Sequence, residues 1–155
     1  MKVTPSQSSR RWVMAQTFLL LALVASGPLG RDYERVWGVT VELGVILFGI
    51  GAYLGIAGVR HLGQNRTPYP EPLADGELIT AGIYKRLRHP LYASLVYCGF
   101  GWALLWNSSA AFIMAAITAC YLHAKARCEE RFLLKRYPDY SEYMKKTARY
   151  LPGIY

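Results

Sequence analysis

The sequence predicts an all-α, polytopic integral membrane protein with about four transmembrane helices, a cytoplasmic loop and a C-terminal helical tail. The first observation is composition, because 53% of the residues are hydrophobic and only 18% are charged, which is too apolar for an ordinary soluble chain. The second is a series of long apolar runs, and the third is the clustering of basic residues beside those runs. A length of 155 residues corresponds to one membrane domain, residues 1–155.

Four apolar runs are each close to the roughly 20 residues that cross a bilayer core. They are Trp12 to Leu29, Val36 to Val59, Leu91 to Trp106 and Ala110 to Ala124. Only the segment 107–109 separates the last two runs, so we expect a hairpin of antiparallel helices. Glycines recur at helical spacing in the second run and predict a face that another helix can approach closely. These glycines are Gly44, Gly51, Gly55 and Gly58.

The distribution of Lys and Arg predicts the orientation of the spans. With the N-terminus inside, all of the 18 basic residues except Arg31 and Arg35 face the cytoplasm, and both termini lie there. The net charge of +8 is then a topology signal and not a nucleic-acid surface. Three cysteines without paired spacing predict neither a disulfide framework nor a zinc site. The short N-terminus without a targeting signal suits a prokaryotic inner membrane.

The segment from Arg60 to Arg88 is rich in proline, glycine and charge, and its Thr67-Pro68-Tyr69-Pro70 run excludes a helix. Loops of this length in compact domains are usually lids or binding segments. We expect the piece from Glu77 to Thr80 to be extended and to lie across a cavity.

The end of this loop meets the third apolar run at His89 and Pro90. Proline suits the first turn of a helix, which places His89 at or next to the N-cap. A helix start with basic residues beside it suits an anionic group on a small molecule. A capped membrane helix with basic flanks would explain the same residues.

Good helix formers continue past the fourth run, from Lys125 to Arg136, and Pro138 is the first breaker. One helix is therefore expected to emerge from the membrane. Glu129 follows Lys125 by four residues and shares its face, whereas Glu130 points about 100° away. Taken alone, the glutamates suit a solvated helix face. The aromatic and basic tail that follows is expected to pack against the cytoplasmic face.

Several motifs follow one another along the second half of the chain. They are Gly82-Ile83-Tyr84, Arg88-His89-Pro90-Leu91-Tyr92, Glu129-Glu130, Leu133, Tyr137, Tyr140, Tyr143 and Leu151-Pro152. Together they resemble the isoprenylcysteine carboxyl methyltransferase family, to which the phospholipid methyltransferases are related. The resemblance covers residues 64–152 and implies a methyltransferase-like catalytic region with a helical hairpin there. The two N-terminal spans, which the apolar runs place in residues 1–63, carry no specific signature of the family.

The resemblance also implies an integral membrane enzyme that binds S-adenosylmethionine on the cytoplasmic side, between the loop and the hairpin ends. The implied cofactor contacts are Leu78, Ile79, Tyr84, His89, Pro90, Leu91, Tyr92, Glu129 and, as a close second, Glu130. The chemistry of these residues agrees, because a helix start suits the methionine carboxylate and a glutamate suits the ribose hydroxyls or the ammonium. Tyrosine rings can cover the adenine.

Methyl transfer is an in-line displacement that requires alignment of the reactants and exclusion of water, and it needs no metal. A carboxylate or thiolate acceptor needs no general base but would be oriented by a cation. Lys125 and Arg127 are the candidates for this catalytic role, although snorkelling at the membrane edge would equally explain both side chains. The expected partners are the lipid bilayer and an apolar or lipid-like methyl acceptor, with no nucleic acid.

Three further functions remain open at the level of sequence. The first is amine methylation of a phospholipid headgroup, which would require a proton acceptor, and Glu130 or His89 is available for that role. The second is a nicotinamide-dependent membrane reductase, and the third is a helical bundle without enzymatic activity.

Overall fold

The computed structural model describes residues 6–30 and 38–151. Its α-helices are α1 (Gln7–Leu29), α2 (Val39–Leu62), α3 (Pro90–Trp106), α4 (Ser109–Arg136) and α5 (Tyr140–Lys146). By length and composition α1, α2 and α4 can cross a membrane, and α3 is a shorter apolar helix of 17 residues. The prediction of an all-α membrane protein is therefore confirmed, with three or four spanning helices.

The predicted orientation stays a prediction. Arg31 and Arg35, which define the outer side, lie outside the described residues, as do Lys2 and the first residues of the run that begins at Val36. Glu42, in the first turn of α2, is exposed.

The glycine face predicted on α2 packs against α3. A Cβ atom on Gly51 would lie 2.8 Å from the backbone nitrogen of Cys98, and one on Gly44 would lie 3.0 Å from that of Leu105. Side chains at these positions would collide with backbone, so the two helices approach each other through their smallest residues. The prediction of a close helix contact is confirmed.

Helices α3 and α4 form the predicted hairpin. Asn107 closes α3 in the left-handed region with φ of 47°, a conformation that asparagine tolerates. The Ser108 hydroxyl then caps α4 by accepting a hydrogen bond from the Ala111 backbone N–H at 3.1 Å. The rings of Phe100 and Phe112 meet across the hairpin with centroids 5.0 Å apart. Because α4 continues to Arg136, the expected single helix beyond the apolar run is also confirmed.

The tail after α4 packs against the start of α3, so its predicted packing on the bundle is confirmed, and the cytoplasmic position of this face stays a prediction. Leu87 and Ala148 form an isolated parallel β-bridge, in which the Arg88 N–H donates to the Ala148 carbonyl at 2.8 Å. The Tyr143 hydroxyl donates to the Tyr84 carbonyl at 2.6 Å. This packing brings the loop, the start of α3, the end of α4 and the tail to one end of the bundle.

The α2–α3 contact gives a test of the fold that has an internal control. Gly51→Ala should lower the free energy of unfolding by about 1 to 3 kcal/mol, because the new methyl group overpacks a backbone contact. Gly49→Ala, on the same helix with no atom within 4 Å of the added Cβ, should be neutral or slightly stabilising through helix propensity. Thermal unfolding in detergent compares the two, and equal effects would contradict the described packing.

Candidate functional site

The centre of the polar end of the bundle is the carboxylate of Glu130, which is buried with 4% of the residue exposed. Arg149 donates to it from Nη2 at 2.7 Å and from Nε at 3.2 Å. Arg88 donates from Nε at 3.0 Å, and the His89 ring nitrogen Nε2 lies 3.2 Å from the same carboxylate. Buried charges need such partners to offset their desolvation. The interpretation of Glu130 as part of a solvated helix face is therefore wrong.

Arg88 also binds the backbone of the tail through its Nη1 atom. Its Nη1 donates to the Met144 carbonyl at 2.9 Å and to the Thr147 carbonyl. With its donors directed at Glu130 and at the tail backbone, Arg88 stabilises the packing of the tail onto α3. Of the basic residues expected to attract an anion at this helix start, Lys85 and Arg86 are exposed and Arg88 is buried in this cluster.

Glu129 occupies a different environment from its neighbour. Its side chain keeps 28% exposure, and it accepts a hydrogen bond from the Tyr92 hydroxyl at 2.8 Å. The ring of His89 stacks on that of Tyr92 with centroids 5.3 Å apart and planes 10° from parallel. Glu129 is thus an oriented carboxylate that still has access to a ligand.

A pocket, which we call the loop pocket, lies between the loop after α2 and the polar end of α4. It contains about 620 Å³ of space, including the part that is open to solvent. The loop and the end of α2 contribute Leu62, Asn65, Thr67, Pro72, Leu73, Gly76, Glu77, Leu78 and Ile79. The opposite wall consists of Tyr84, Arg88, Glu129, Leu133, Tyr137, Tyr140 and Tyr143. The piece from Glu77 to Ile79 lies along a cavity, as predicted.

Three tyrosines of the loop pocket, Tyr84, Tyr140 and Tyr143, keep their protons at neutral pH. Burial raises the pKa values of Tyr84 and Tyr140 above the ordinary range, and it raises the pKa of Tyr143 to about 12. Their hydroxyl groups therefore remain neutral, and the wall they form combines aromatic surface with hydrogen-bonding groups.

A second cavity, which we call the apolar groove, runs between α2, α3 and α4. It contains about 1110 Å³ of space, including the part open to its surroundings. Its lining is Leu47, Ala93, Val96, Tyr97, Phe100, Ala119, Cys120, His123, Tyr150 and Leu151. The groove is therefore mostly hydrophobic, and its polar side chains are Tyr97, His123 and Tyr150. The rings of His123 and Tyr150 lie close together where the groove meets the tail.

Tyr150 lies between the apolar groove and the Glu130 cluster, by which we mean Glu130 with Arg88, His89 and Arg149. Its ring centroid is 6.3 Å from that of His89 and 6.1 Å from that of His123. Within the described residues its hydroxyl is buried without a hydrogen-bond partner, and burial raises its pKa to about 12. A buried hydroxyl of this kind costs free energy unless a ligand satisfies it.

The predicted site residues divide into two groups. Leu78, Ile79, Tyr84 and Glu129 line the loop pocket together. The others lie behind its wall: His89, Pro90 and Glu130 are buried, Leu91 packs toward Gly58 of α2, and Tyr92 supports Glu129. The geometry thus separates residues with access to a ligand from residues that hold the wall in place.

The two predicted catalytic cations also differ in position. Arg127 is exposed. Lys125 is 1% exposed, and its Nζ donates to Gln16 Oε1 at 2.5 Å and to the Pro68 carbonyl at 2.8 Å. Snorkelling is therefore the wrong interpretation of Lys125, which points into the protein.

Sequence reasoning missed the role of Arg149 and the partners of Arg88. Arg149 was only one of several basic residues in the tail, and its contact with Glu130 spans 19 residues of chain. Its position next to Tyr150, just before the closing Leu151-Pro152, was the only local signal.

The loop pocket and the apolar groove thus lie near each other at one end of a membrane helical bundle. The family model described as phospholipid methyltransferase matches residues 39–140, well over half of the chain. The chain belongs to this family. Within the described residues no three His, Cys, Asp or Glu side chains are grouped to hold a metal ion, and the expectation that no metal is needed stays a prediction.

Curated relatives agree with the family. The chain is 24% identical to a probable protein-S-isoprenylcysteine O-methyltransferase of Oryza sativa subsp. indica, over 94% of this chain and 78% of the relative. It is 28% identical to the cobalt-zinc-cadmium resistance protein CzcN of Cupriavidus metallidurans, over 81% of this chain and 66% of the relative, just under two thirds. A third relative, the nickel-cobalt-cadmium resistance protein NccN of Alcaligenes xylosoxydans xylosoxydans, is 32% identical over half of this chain. The family and the rice relative support a membrane methyltransferase.

The Glu130 cluster predicts a large difference between adjacent glutamates. Glu130→Ala should lower the free energy of unfolding by about 3 to 5 kcal/mol, because it leaves Arg88 and Arg149 as buried cations without their carboxylate. Glu129→Ala removes one partly exposed hydrogen bond and should cost no more than about 1.5 kcal/mol. Thermal unfolding in detergent measures both, and similar losses would contradict the structural role of Glu130.

Proposed function

We propose that this chain is an S-adenosylmethionine-dependent methyltransferase that acts on an apolar or lipid-like acceptor, at a carboxylate or a thiol. The observation that supports the proposal most strongly is the position of the loop pocket and the apolar groove on two sides of one layer of rings. His89 stacks on Tyr92, which binds Glu129 of the pocket, and His89 also faces Tyr150 of the groove. A water-soluble donor and an apolar acceptor could therefore reach the same layer from different sides.

The side chains of the loop pocket fit the chemistry of S-adenosylmethionine. Glu129 offers a carboxylate for the ribose hydroxyls or the ammonium, each through a charge-assisted hydrogen bond. Leu78, Ile79 and the tyrosines Tyr84 and Tyr143 offer apolar and aromatic surface for the adenine ring. Glu130, whose oxygens accept bonds from three side chains, serves in this proposal to hold the wall and not to contact the donor.

The apolar groove fits the hydrocarbon part of the acceptor. Its walls are apolar except at Tyr97, His123 and Tyr150. An amphiphile would lie with its chain along α3 and α4 and its polar atom near His123 and Tyr150. His123 is exposed and lines the groove, and an ionisable residue within a membrane-spanning helix is a candidate functional residue by default. The Tyr150 hydroxyl, which has no hydrogen-bond partner among residues 6–30 and 38–151 and is protonated at neutral pH, can donate to an oxygen or sulfur atom of the acceptor.

When bound, S-adenosylmethionine supplies a methyl group on a cationic sulfur, which becomes a neutral thioether as the acceptor atom takes the methyl group. The apolar walls of the groove exclude water from the acceptor, and a low-polarity surrounding favours the union of opposite charges into neutral products. The layer of His89, Tyr92 and Tyr150 aligns the two sites. Arg127, exposed one turn beyond His123 on α4, is the cation we assign to orienting an acceptor carboxylate.

Amine methylation of a phospholipid headgroup is the second candidate, and the description of the matching family favours it. That reaction must remove a proton, and His89 would be the acceptor because its ring lies between Glu129, Glu130 and Tyr150. For either acceptor we propose that the loop pocket faces the cytoplasm of a prokaryotic inner membrane, because most Lys and Arg residues lie at this end of the bundle.

Glu129 provides the direct test of the donor site. Glu129→Ala should weaken the binding of S-adenosylhomocysteine roughly ten- to a hundredfold, the loss of one charge-assisted hydrogen bond. Calorimetry on the purified protein in detergent measures this affinity. The control is Glu142→Ala, which removes an exposed carboxylate that pairs with Lys145 on α5 outside the pocket. Unchanged affinity in the Glu129 variant would contradict the proposed donor site.

Ala119 tests the acceptor site. It lines the groove and is half-buried, so Ala119→Phe should fill the groove and raise the apparent KM for a long-chain acceptor about tenfold or more. S-farnesylated thioether acids and phosphatidylethanolamine vesicles are the two acceptor probes, and the one that is methylated identifies the acceptor class. Ile113→Phe adds bulk to an exposed position outside the groove and should have no effect. If both variants leave KM unchanged, the groove does not hold the acceptor.

A further inference from the structure

Lys125 is a buried cation that the proposed chemistry does not use. Its ammonium group binds α1 through Gln16 Oε1 at 2.5 Å and the loop through the Pro68 carbonyl at 2.8 Å. A buried ammonium group is costly without hydrogen-bond acceptors. Because its acceptors come from two separate segments, α1 and the loop cannot move apart without leaving this charge unsatisfied.

A second contact joins α1 to the same part of the loop. The Ser6 hydroxyl donates to one oxygen of Glu71 at 2.7 Å, and the Ser6 backbone N–H donates to the other at 3.3 Å. The Ser6 hydroxyl lowers the pKa of the Glu71 carboxyl below its ordinary value, so the carboxylate is the charged form at neutral pH. Ser6 is also the N-cap of α1, which ties the loop directly to the start of that helix.

The two contacts with the loop, at Pro68 and Glu71, lie between two residues that line the loop pocket. Thr67 lines the loop pocket immediately before Pro68, and Pro72 lines it immediately after Glu71. Between the two contacts, Pro70 is fully buried. The segment 68–71 is therefore fixed on the outside by α1 and α4, and its two flanks form part of the pocket.

The other end of the loop is held by the end of α4. The Tyr137 hydroxyl donates to the Gly76 carbonyl at 2.7 Å, and Arg136 donates to the Ala74 carbonyl. One rim of the pocket thus depends on the end of α4 and the other on α1. Helix α1 lies outside the region that matches the family, which begins at residue 39.

We infer that Lys125, Gln16 and α1 form a latch that holds the loop in the conformation able to bind the methyl donor. Lys125 is then a positioning residue and not the cation that orients the acceptor. The inference rests on the proposed function for its link to the donor, whereas the latch itself is a property of the fold. A loop that is held less often in the competent conformation lowers the apparent affinity for the donor by the same factor.

The test uses the full-length protein in nanodiscs and two readouts. Lys125→Met keeps the length of the side chain but removes both hydrogen bonds, and Gln16→Leu removes only the α1 partner. Trypsin cleavage after the exposed residue Arg66, followed by mass spectrometry, reports opening of the loop without any ligand. The rate of methyl transfer at varied S-adenosylmethionine concentration reports KM and kcat. Thr17→Ala, next to Gln16 but exposed and bonded only within its own helix, is the matched control.

We expect Lys125→Met to raise both the cleavage rate and the KM for S-adenosylmethionine roughly ten- to a hundredfold, with kcat at saturating donor nearly unchanged. Gln16→Leu should raise both quantities by a smaller factor. If Lys125→Met does not fold, the Gln16 variant alone tests the latch. Wild-type cleavage in both variants would overturn the latch. A loss of kcat with unchanged KM would contradict the inference and would indicate that Lys125 orients the acceptor. If the wild type binds no S-adenosylmethionine, the proposed function is wrong. The cleavage rates alone then test whether Lys125 and Gln16 hold the loop.

Discussion

The buried carboxylate of Glu130 is the interaction on which the polar end of this protein depends. It accepts hydrogen bonds from Arg149 in the tail and from Arg88 at the start of α3, and it contacts His89 in the same place. Three segments that are far apart in sequence are thereby held at one point. Such a cluster adds little net stability compared with apolar packing, since each charge must first be desolvated. Its contribution is geometric, because it fixes where the tail lies.

Both cavities follow from that placement. Tyr140 and Tyr143 form one wall of the loop pocket only because the tail is folded onto Arg88, and Tyr150 and Leu151 close one end of the apolar groove for the same reason. Between the cavities, His89 contacts Tyr92 on one side and Tyr150 on the other. In the proposed function these two cavities would hold the methyl donor and its acceptor, and the ion cluster and the layer of rings lie where the two would meet.

The sequence was sufficient for the helices and for their pairing. Long apolar runs leave a chain in lipid few options other than helices, and the short turn at Asn107 allows only antiparallel neighbours. Periodicity also separated Glu129 from Glu130 by about 100° around α4. It could not determine which of the two is buried, since that depends on where the tail folds.

Long-range partners explain the remaining differences. Lys125 matched the local pattern of a cation at a membrane edge, but its acceptors Gln16 and Pro68 lie 109 and 57 residues away. No local spacing predicts such contacts. The motifs of the second half therefore indicated the class of chemistry. The different environments of Glu129, Glu130 and Lys125 could be determined only from the packed structure.

Hydrogen–deuterium exchange with and without S-adenosylhomocysteine tests the central claim, that the methyl donor binds between the loop and the end of α4. The ligand should slow exchange in peptides that cover residues 72–84 and 133–143, because these segments form the two walls of the loop pocket. Residues 43–56 of α2, which lie outside that pocket, should exchange as before. Ligand-dependent protection confined to α1 and α2, or protection by NADPH and none by S-adenosylhomocysteine, would contradict this account.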